Sequence, residues 1–440
     1  MVDRRCGGAG CGRALAGLMV LACLPSSQVW AQTQTAGGFE RLGIRTETWN
    51  LFPSLSFTTL YDDNVFALPE GDERLESDVS FILSPRLTAE ANTRRHALAV
   101  QAGASIGRFI EQSDQDFNDF DLGVSGRWDV DRTLAITAGF DFAQTREDQA
   151  DPDRRIDERF RTETTTINTF NGNVAARKDW QRLFARARAG VNRRVFDELN
   201  ATALVVGRPG PPREVNINAD RDRTRVPLNF RLGYDFDRSY NGFVNVGYTL
   251  VRFDEPELNL AQLTPDLLLV SEGDEQDFES LSVRVGSGVD FDQLVSGDFA
   301  VGLERRFGNQ EGDDLGFSFD ADLDWTLSPR SSLGVSGSQG FEPASGGDAG
   351  GSSLVTRLGL DLSYALTRQF SVAGNVDYRR DDRGGGGRTD DDITTGVSAS
   401  YAINRYASLS ASYQYRQRNS TDADREFERN RVFLTVTGRY

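Results

Sequence analysis

Long stretches of the chain alternate between apolar and polar residues with a period of two, and this alternation restricts the fold more than any other feature. From Leu315 to Leu327, one strand face would carry leucine, phenylalanine, alanine and tryptophan, and the other would carry small polar residues and three aspartates. One face suits hydrocarbon and the other suits water. The alternation lasts about ten residues or more, whereas strands of soluble sandwiches average roughly five or six. The pattern predicts transmembrane β-strands.

The composition agrees with strands that contact lipid on one face only. The mean hydropathy is -0.46, and no window after residue 31 approaches the roughly twenty apolar residues that a transmembrane helix needs. In a barrel only alternate residues contact lipid, so the average hydropathy stays low. Nothing in the composition of the 440 residues marks a domain boundary after the first fifty residues. We therefore predict one large all-β domain.

Short turns alternate with long polar loops along the chain. The short turns share a plan of an aromatic residue, an apolar residue, a turn former and an arginine, as in Tyr401-Ala402-Ile403-Asn404-Arg405. Such turn formers favour tight turns, and aromatic rings are stable at the level of the lipid headgroups. Counting the runs predicts a single transmembrane antiparallel up-and-down β-barrel of about eighteen strands (16–18), without a plug domain. A barrel of this size has room for an aqueous lumen.

The N-terminal residues have the pattern of a secretory signal peptide. Residues 1–31 contain three arginines, an apolar run and a small-residue cleavage site. Cleavage there would remove all three cysteines, Cys6, Cys11 and Cys23, and lipidation of Cys23 is the alternative that stays open. We predict a signal peptide over 1–31, a short periplasmic segment over 32–52 and an outer-membrane barrel over 53–440.

Loop lengths and charge indicate location and partners. Short turns of bacterial outer-membrane barrels are periplasmic, so both termini are expected in the periplasm of a Gram-negative cell. The formal net charge of -17 argues against nucleic acid as a partner. The expected partners are outer-membrane lipid with lipopolysaccharide and the barrel-assembly machinery, and homo-oligomerisation is left open.

The first predicted strand and its loop resemble the putative beta-barrel porin 2 family. The resemblance is carried by Tyr61, Asp62, Asp63 and Asn64, and it continues to about residue 120 before it weakens to general barrel character. It implies an outer-membrane protein of Gram-negative bacteria. Because such proteins are often encoded beside exopolysaccharide genes, it also implies polysaccharide-export components as partners. The resemblance implies no established molecular activity.

The last strand resembles the assembly signal of outer-membrane proteins. That signal is a terminal aromatic residue preceded by apolar residues at alternate positions, here Val432, Leu434, Val436 and Tyr440. The alternative interpretation is a last lipid-facing strand without a signalling role.

Catalytic chemistry is not indicated. His96 is the one histidine and follows two arginines at a predicted periplasmic turn, away from any nucleophile that it would have to activate. No carboxylate pair stands out as a glycosidase pair, and the acidic loops lack the spacing of a calcium loop. We expect no catalytic residues, no cofactor and no metal.

The predicted lumen face carries both signs of charge. Such a lumen either holds a transverse field that orders water, or its arginines and aspartates neutralise one another across neighbouring strands. The candidate pore-lining residues are Arg186, Arg188, Arg231, Asp235, Arg284, Asp320, Asp322, Asp324, Arg357 and Asp361.

The function expected from these features is an aqueous conduit, with an association to exopolysaccharide export implied only by the family resemblance. One alternative is a general diffusion porin for small hydrophilic solutes. The other is a non-conducting barrel that scaffolds an export machinery. A constriction loop folded into the lumen would favour the porin, and residues 199–222 are long enough to form one. A lumen filled by paired arginines and aspartates would favour the scaffold.

Overall fold

The computed structural model describes residues 42–152, 154, 164–208, 210–264, 267–291, 294–308, 314–344, 352–383 and 387–440. Eighteen antiparallel strands form a closed barrel, in which each strand pairs with the next along the chain and the last pairs with the first. In chain order, β1 to β18 are Asn50–Asp62, Asp78–Asn92, His96–Phe109, Phe117–Asp129, Leu134–Arg146, Thr166–Asp179, Leu183–Phe196, Arg223–Asp235, Tyr240–Phe253, Phe278–Phe291, Val295–Gly308, Asp314–Ser328, Ser331–Pro343, Ser352–Ala365, Phe370–Asp382, Thr389–Ala402, Ala407–Ser420 and Phe427–Arg439.

The predicted fold class is confirmed, including the strand number. Before β1 the structure describes only residues 42–49, where Ile44–Arg45 pairs with the start of β1, and these residues are too few for a plug domain. The predicted signal peptide and its cysteines lie outside the described residues. Three single turns of 3-10 helix are described, and no helix in the described part of the chain is long and apolar enough to cross a membrane.

The two faces of each strand differ in the way that the alternation predicts. On β12, Leu315 and Trp325 have 68% and 50% of their surface exposed on the outer face of the barrel. Large exposed apolar residues recur on the outer face of the other strands. A continuous apolar wall of this kind is stable in contact with hydrocarbon and not with water. The polar residues between them line the lumen.

The barrel has two unlike ends, which we call the short-turn rim and the long-loop rim. At the short-turn rim, the Asn404 side chain accepts hydrogen bonds from the backbone N–H groups of Tyr406 at 2.7 Å and Ala407 at 2.9 Å. Asp131 and Asp237 do the same in their own turns. One side-chain oxygen thus satisfies two backbone donors, which explains why a turn former recurs at this position.

Aromatic side chains surround the outer face of the short-turn rim. Trp128, Trp325 and Tyr401 are exposed there, each just before a turn. The terminal Tyr440 stacks on Tyr406, with ring centroids 5.9 Å apart and an interplanar angle of 23°. This arrangement places amphipathic rings in one girdle, as a membrane interface requires.

The family-like motif at the end of β1 closes the barrel between its first and last strands. The Asn64 amide nitrogen donates to the carbonyl oxygens of Leu68 and Glu428, both at 2.9 Å. The Asp63 carboxylate accepts from the backbone N–H of Asn430 at 2.6 Å and from its side chain at 2.7 Å. These bonds fix the first long loop to β18, so the motif has a structural role at the seam.

Two long loops form a small sheet that the sequence pattern does not predict. Its strands, in spatial order, are Arg213–Asn216, Asn200–Val205, Leu267–Glu272 and Leu258–Thr264. The two central strands run parallel. Its buried core consists of Ala201, Ala203, Ile217, Leu268 and Val270. Residues 200–205 and 213–216 of the segment 199–222, which is long enough for a constriction loop, are therefore strands of this sheet.

Candidate functional site: the lumen and its constriction

All ten predicted pore-lining residues lie on the inner strand faces, but they do not form one group. Nine lie in the middle or in the short-turn half of the lumen. Arg357 lies in the long-loop half, where both of its terminal nitrogens bind the Glu342 carboxylate. Asp235 is the last residue of β8, at the short-turn rim itself.

Arginines of β7, β8 and β10 form a basic sector of the wall. Arg186 and Arg231 are direct cross-strand neighbours. Arg231 forms an ion pair with Asp298 and covers the Phe243 ring at 3.9 Å from its centroid. We define the basic sector as Arg186, Arg188, Arg231 and Arg284.

Aspartates of β11 to β15 form an adjacent acidic sector. Asp298 lies directly opposite Asp322 on the neighbouring strand, an arrangement that is unfavourable unless water or cations screen the two charges. Among the residues that the structure describes, Asp320, Asp322 and Asp324 of β12 form no ion pair. The acidic sector consists of Asp298, Asp320, Asp322, Asp324, Asp361 and Asp377.

Serine and threonine side chains form a third, hydroxyl sector on β16, β17, β18 and β1. Ser56 and Thr437 are hydrogen-bonded at 2.9 Å, and Thr58 and Thr435 at 2.8 Å. In a ring of eighteen strands, β17 and β18 lie opposite β8 and β9. The hydroxyl sector therefore faces the basic sector across the lumen.

A segment that follows β5 crosses the lumen in its long-loop half. The carbonyl oxygen of Ala150 accepts hydrogen bonds from Arg416 and Arg418 of β17, both at 2.9 Å. Since β5 and β17 are six strands apart by the shorter way around the ring, these contacts require the segment to extend inward from the wall. We call residues 147–152 the inward segment.

Five arginines on the opposite wall bind the inward segment through its backbone. The carbonyl oxygen of Pro152 accepts from Arg383 at 2.8 Å, Arg388 at 2.7 Å and Arg425 at 3.3 Å. We define the arginine cluster as Arg383, Arg388, Arg416, Arg418 and Arg425. The cluster is buried.

Carboxylates of the wall hold these arginines in position. Asp392 binds Arg416 at 3.2 Å and Arg418 at 2.8 Å. Asp390 binds Arg388 at 2.8 Å. All five groups are buried, so each charge needs its partners to offset the loss of hydration.

The start of the inward segment is held by a separate group of charges. Asp148 lies 3.3 Å from Arg429, which also binds Asp62 of the family-like motif at 2.5 Å. Burial would raise the pKa of Asp148, but the charges of Arg429, Arg431 and Arg416 outweigh burial and hold that pKa well below its usual value. Asp148 is therefore a carboxylate across the ordinary pH range.

The residues that reach across the lumen in the described part of the chain are thus 147–152, and the segment 199–222 contributes through Arg221, which binds Glu147 at the start of the inward segment. Strand parity alone places Arg416, Arg418, Arg429 and Arg431 inward on two neighbouring strands. Four inward positive charges in one place indicate that a partner approaches, and this signal was available in the sequence. For Arg416 and Arg418 the partner on the inward segment is the Ala150 backbone carbonyl, which no side-chain pattern reveals, whereas for Arg429 it is the Asp148 carboxylate.

The residues considered for enzymatic chemistry lie apart from this constriction. His96 begins β3 at the short-turn rim, with its ring centroid 6.4 Å from that of Trp128. In the described ranges, no group of three or more histidine, cysteine, aspartate or glutamate side chains is arranged to hold a metal ion.

A closed eighteen-stranded antiparallel barrel with an apolar outer wall and a polar lumen defines a porin-type barrel of the outer membrane. The chain belongs to the putative beta-barrel porin 2 family, whose model matches residues 37–440. The predicted family membership is confirmed. Among curated proteins, no significant match is found.

Solved structures with similar folds are distant in sequence. OpdL of Pseudomonas aeruginosa superposes with a TM-score of 0.42 at 11% identity, covering 88% of this chain and 99% of that one. OccAB4 of Acinetobacter baumannii gives 0.43 at 10% identity, with 90% and 99% covered. The siderophore receptor PirA of Acinetobacter baumannii gives 0.41 at 8% identity, with 89% and 80% covered.

Proposed function

We propose that the chain forms a water-filled channel of the outer membrane for small hydrophilic solutes. The observation that carries this proposal is the inward segment, which narrows the long-loop half of a lumen that is charged or hydroxylated elsewhere. A polar constriction selects solutes by size and charge. Membership of a porin family supports the same function.

The non-conducting scaffold is the alternative from another class. Paired arginines and aspartates in the long-loop half favour it, as with Asp392 between Arg416 and Arg418. Against it stand Asp320 and Asp322, which have no ion pair among the described residues and would be costly to enclose without water. A hydrated lumen supplies the hydrogen bonds that these two carboxylates need.

Export of a polysaccharide is a second candidate for the solute. The hydroxyl sector favours it, because serine and threonine side chains exchange hydrogen bonds with sugar hydroxyls without a charge preference. Association with polysaccharide-export components otherwise rests on the family resemblance. A polymer would also have to pass the inward segment, which makes small solutes the better first choice.

We further propose that the long loops are extracellular, with both termini in the periplasm of a Gram-negative cell. Arginines on the outer face of the long-loop rim support contact with lipopolysaccharide phosphates there, as in Arg108, Arg193, Arg252 and Arg380. The exposed outer-face residues Val432, Leu434, Val436 and Tyr440 support recognition by the barrel-assembly machinery.

The test is single-channel conductance of the refolded mature chain in a planar bilayer, with and without an anionic polysaccharide on either side. Steady openings that are indifferent to the polymer support the channel for small solutes. Openings that the polymer blocks support the conduit for polysaccharide. Silence from folded, heat-modifiable protein would overturn both and favour the scaffold. Asp391→Asn changes a charge on the outer face and leaves the lumen unchanged, so this control variant should conduct as the unsubstituted chain does.

A further inference from the structure

The basic sector contains arginines that have no acidic partner. Among the residues that the structure describes, Arg186 and Arg188 form no ion pair and no side-chain hydrogen bond. Arg284 donates one side-chain hydrogen bond, to a serine hydroxyl at 3.1 Å. Arg231 alone binds a carboxylate, that of Asp298. The positive charges of this sector are thus offset by a single ion pair.

The strand register places these positive charges side by side. Arg186 lies directly between Arg177 on one neighbouring strand and Arg231 on the other. Arg188 lies two residues further along the same strand and therefore on the same face. Side chains at direct and diagonal positions are within reach of one another, and like charges there are unfavourable. An anion between Arg186, Arg188 and Arg231 would remove this repulsion.

Phenylalanine rings hold two of the neighbouring arginines against the wall. A Cβ atom at Gly286 would collide with the Phe243 ring, so the glycine allows this ring to lie close to the strand. Arg231 covers the same ring at 3.9 Å from its centroid, and Arg177 covers the Phe184 ring at 4.9 Å. Such contacts between a guanidinium group and a ring are attractive. They fix the two positive charges that flank the unpaired arginines of β7.

A buried amide beside these arginines also lacks a partner. Asn245 lies between Arg231 and Arg284 in the strand register, and only 6% of its surface is exposed. Its side-chain oxygen has no hydrogen-bond partner among the described residues, and neither has the buried Nε of Arg284. Buried polar atoms without partners are unfavourable. An oxyanion supplies an acceptor for the Arg284 Nε, and a half-turn of the amide offers the Asn245 nitrogen to the same ligand.

We propose that the basic sector is a binding site for an oxyanion, the carboxylate or phosphate group of a solute, with Arg186 and Arg188 as its first contacts. A guanidinium group binds either kind of oxyanion through two parallel hydrogen bonds. The inference rests on the proposed channel function, because the site lies on the lumen wall, and it names solutes with an oxyanion as the class admitted. Binding of such a group at one site is separate from the preference of the channel among small ions, to which the acidic sector also contributes.

The test places a single thiol beside Arg188. The three cysteines of the sequence lie at positions 6, 11 and 23, so Asn229→Cys in a chain expressed from residue 32 has one thiol, directly across from Arg188. Its rate of modification by the anionic reagent sulfonatoethyl methanethiosulfonate is measured in detergent with chloride, acetate or phosphate at equal ionic strength and pH. Ser412→Cys in the hydroxyl sector, on the opposite side of the lumen, is the matched control.

We expect acetate, phosphate or both to lower the rate at Asn229→Cys severalfold relative to chloride, because the oxyanion and the sulfonate of the reagent compete for the same guanidinium groups. The rate at Ser412→Cys should be the same in all three salts. Which anion competes distinguishes a carboxylate from a phosphate as the group bound. Adding Arg186→Gln and Arg188→Gln should abolish the difference between the salts. Asn173→Cys, on the other strand that pairs with β7, replaces Asn229→Cys if that variant does not fold.

A rate at Asn229→Cys that is the same in all three salts would overturn the proposal. So would an anion effect that survives both glutamine substitutions or that is equally large at Ser412→Cys. The labelling needs no bilayer, so its failure is separable from failure of the channel function. Conducting protein without competition would contradict the site alone. Competition in a silent barrel would contradict the channel alone.

Discussion

The two halves of the lumen use the same residue types for different purposes. In the long-loop half, arginines and aspartates are buried against one another and against the inward segment, as in Arg418 with Asp392. In the short-turn half, Asp322 and Asp324 are exposed to the lumen. Buried paired charges fix a structure, whereas hydrated unpaired charges create a field that acts on solutes. The long-loop half therefore provides a fixed, narrow constriction, and the short-turn half provides an electrostatic field that acts on solutes.

The comparison also separates the two expectations for lumen charge. Neutralisation holds for Arg357, which binds Glu342, and for Arg231, which binds Asp298. A field is the better description of the acidic sector, whose β12 members lie side by side along one strand. Both expectations therefore apply, each in a different part of the wall.

The largest effect we predict is loss of stability when the charge balance of the long-loop half is broken. Arg429→Gln removes the guanidinium that binds the buried carboxylate of Asp62 and the partly buried carboxylate of Asp148, which should lower the free energy of unfolding by about 3–5 kcal/mol. Urea unfolding of the refolded protein measures the change.

The control for this variant is an ion pair that is accessible to water. Arg177 and Asp179 are 2.9 Å apart and about half exposed, so Arg177→Gln should lower the free energy of unfolding by about 1 kcal/mol or less. If both variants lost the same free energy of unfolding, burial would not distinguish the two ion pairs. The proposed difference between the two halves of the lumen would then be wrong.

A smaller effect on transport should follow from the acidic sector. Replacing Asp320, Asp322 and Asp324 together by asparagine should reduce the preference for cations over anions severalfold, because the unpaired charges act directly on passing ions. The reversal potential in a salt gradient measures this preference. The shift should be larger at 0.1 M salt than at 1 M, since the screening length falls from about 10 Å to about 3 Å.

Two further variants sharpen this second prediction. Arg186→Gln with Arg188→Gln should move the reversal potential in the opposite direction, because the basic sector carries the opposite charge. Asp391→Asn removes a carboxylate from the outer face and should leave the reversal potential unchanged. A shift of the same sign in the acidic and basic variants would exclude a direct electrostatic effect.

The sequence was sufficient for the barrel because each strand carries its own period-two signal. The lipid-facing run at Leu315 and the turn former at Asn404 depend only on neighbours in the chain, so both were predictable. The loop sheet was not, because Asn200–Val205 and Leu267–Glu272 are short strands that are stabilised by one another across a long sequence separation.

The constriction was only partly predictable for a related reason. Its wall follows from strand parity, but the acceptors that the arginine cluster binds on the inward segment are backbone carbonyls, whose position depends on where the segment after β5 folds. A backbone acceptor is present at every residue and leaves no mark in the sequence. Prediction of such a site needs the three-dimensional path of the chain.

The smallest effect concerns the pH range over which the inward segment stays bound. The pKa of Asp148 is lower in the folded state than in the unfolded state. The stability that the ionised Asp148 contributes is therefore complete above the unfolded pKa of about 4, and it is lost as the pH falls towards the folded value. The difference in unfolding free energy between the wild type and Asp148→Asn should therefore be constant from pH 8 to pH 5 and should shrink below about pH 4. Urea unfolding at each pH measures it. A difference that already declines between pH 8 and pH 5 would show that Asp148 titrates there, and its pairing with Arg429 would then not hold the segment as the structure indicates.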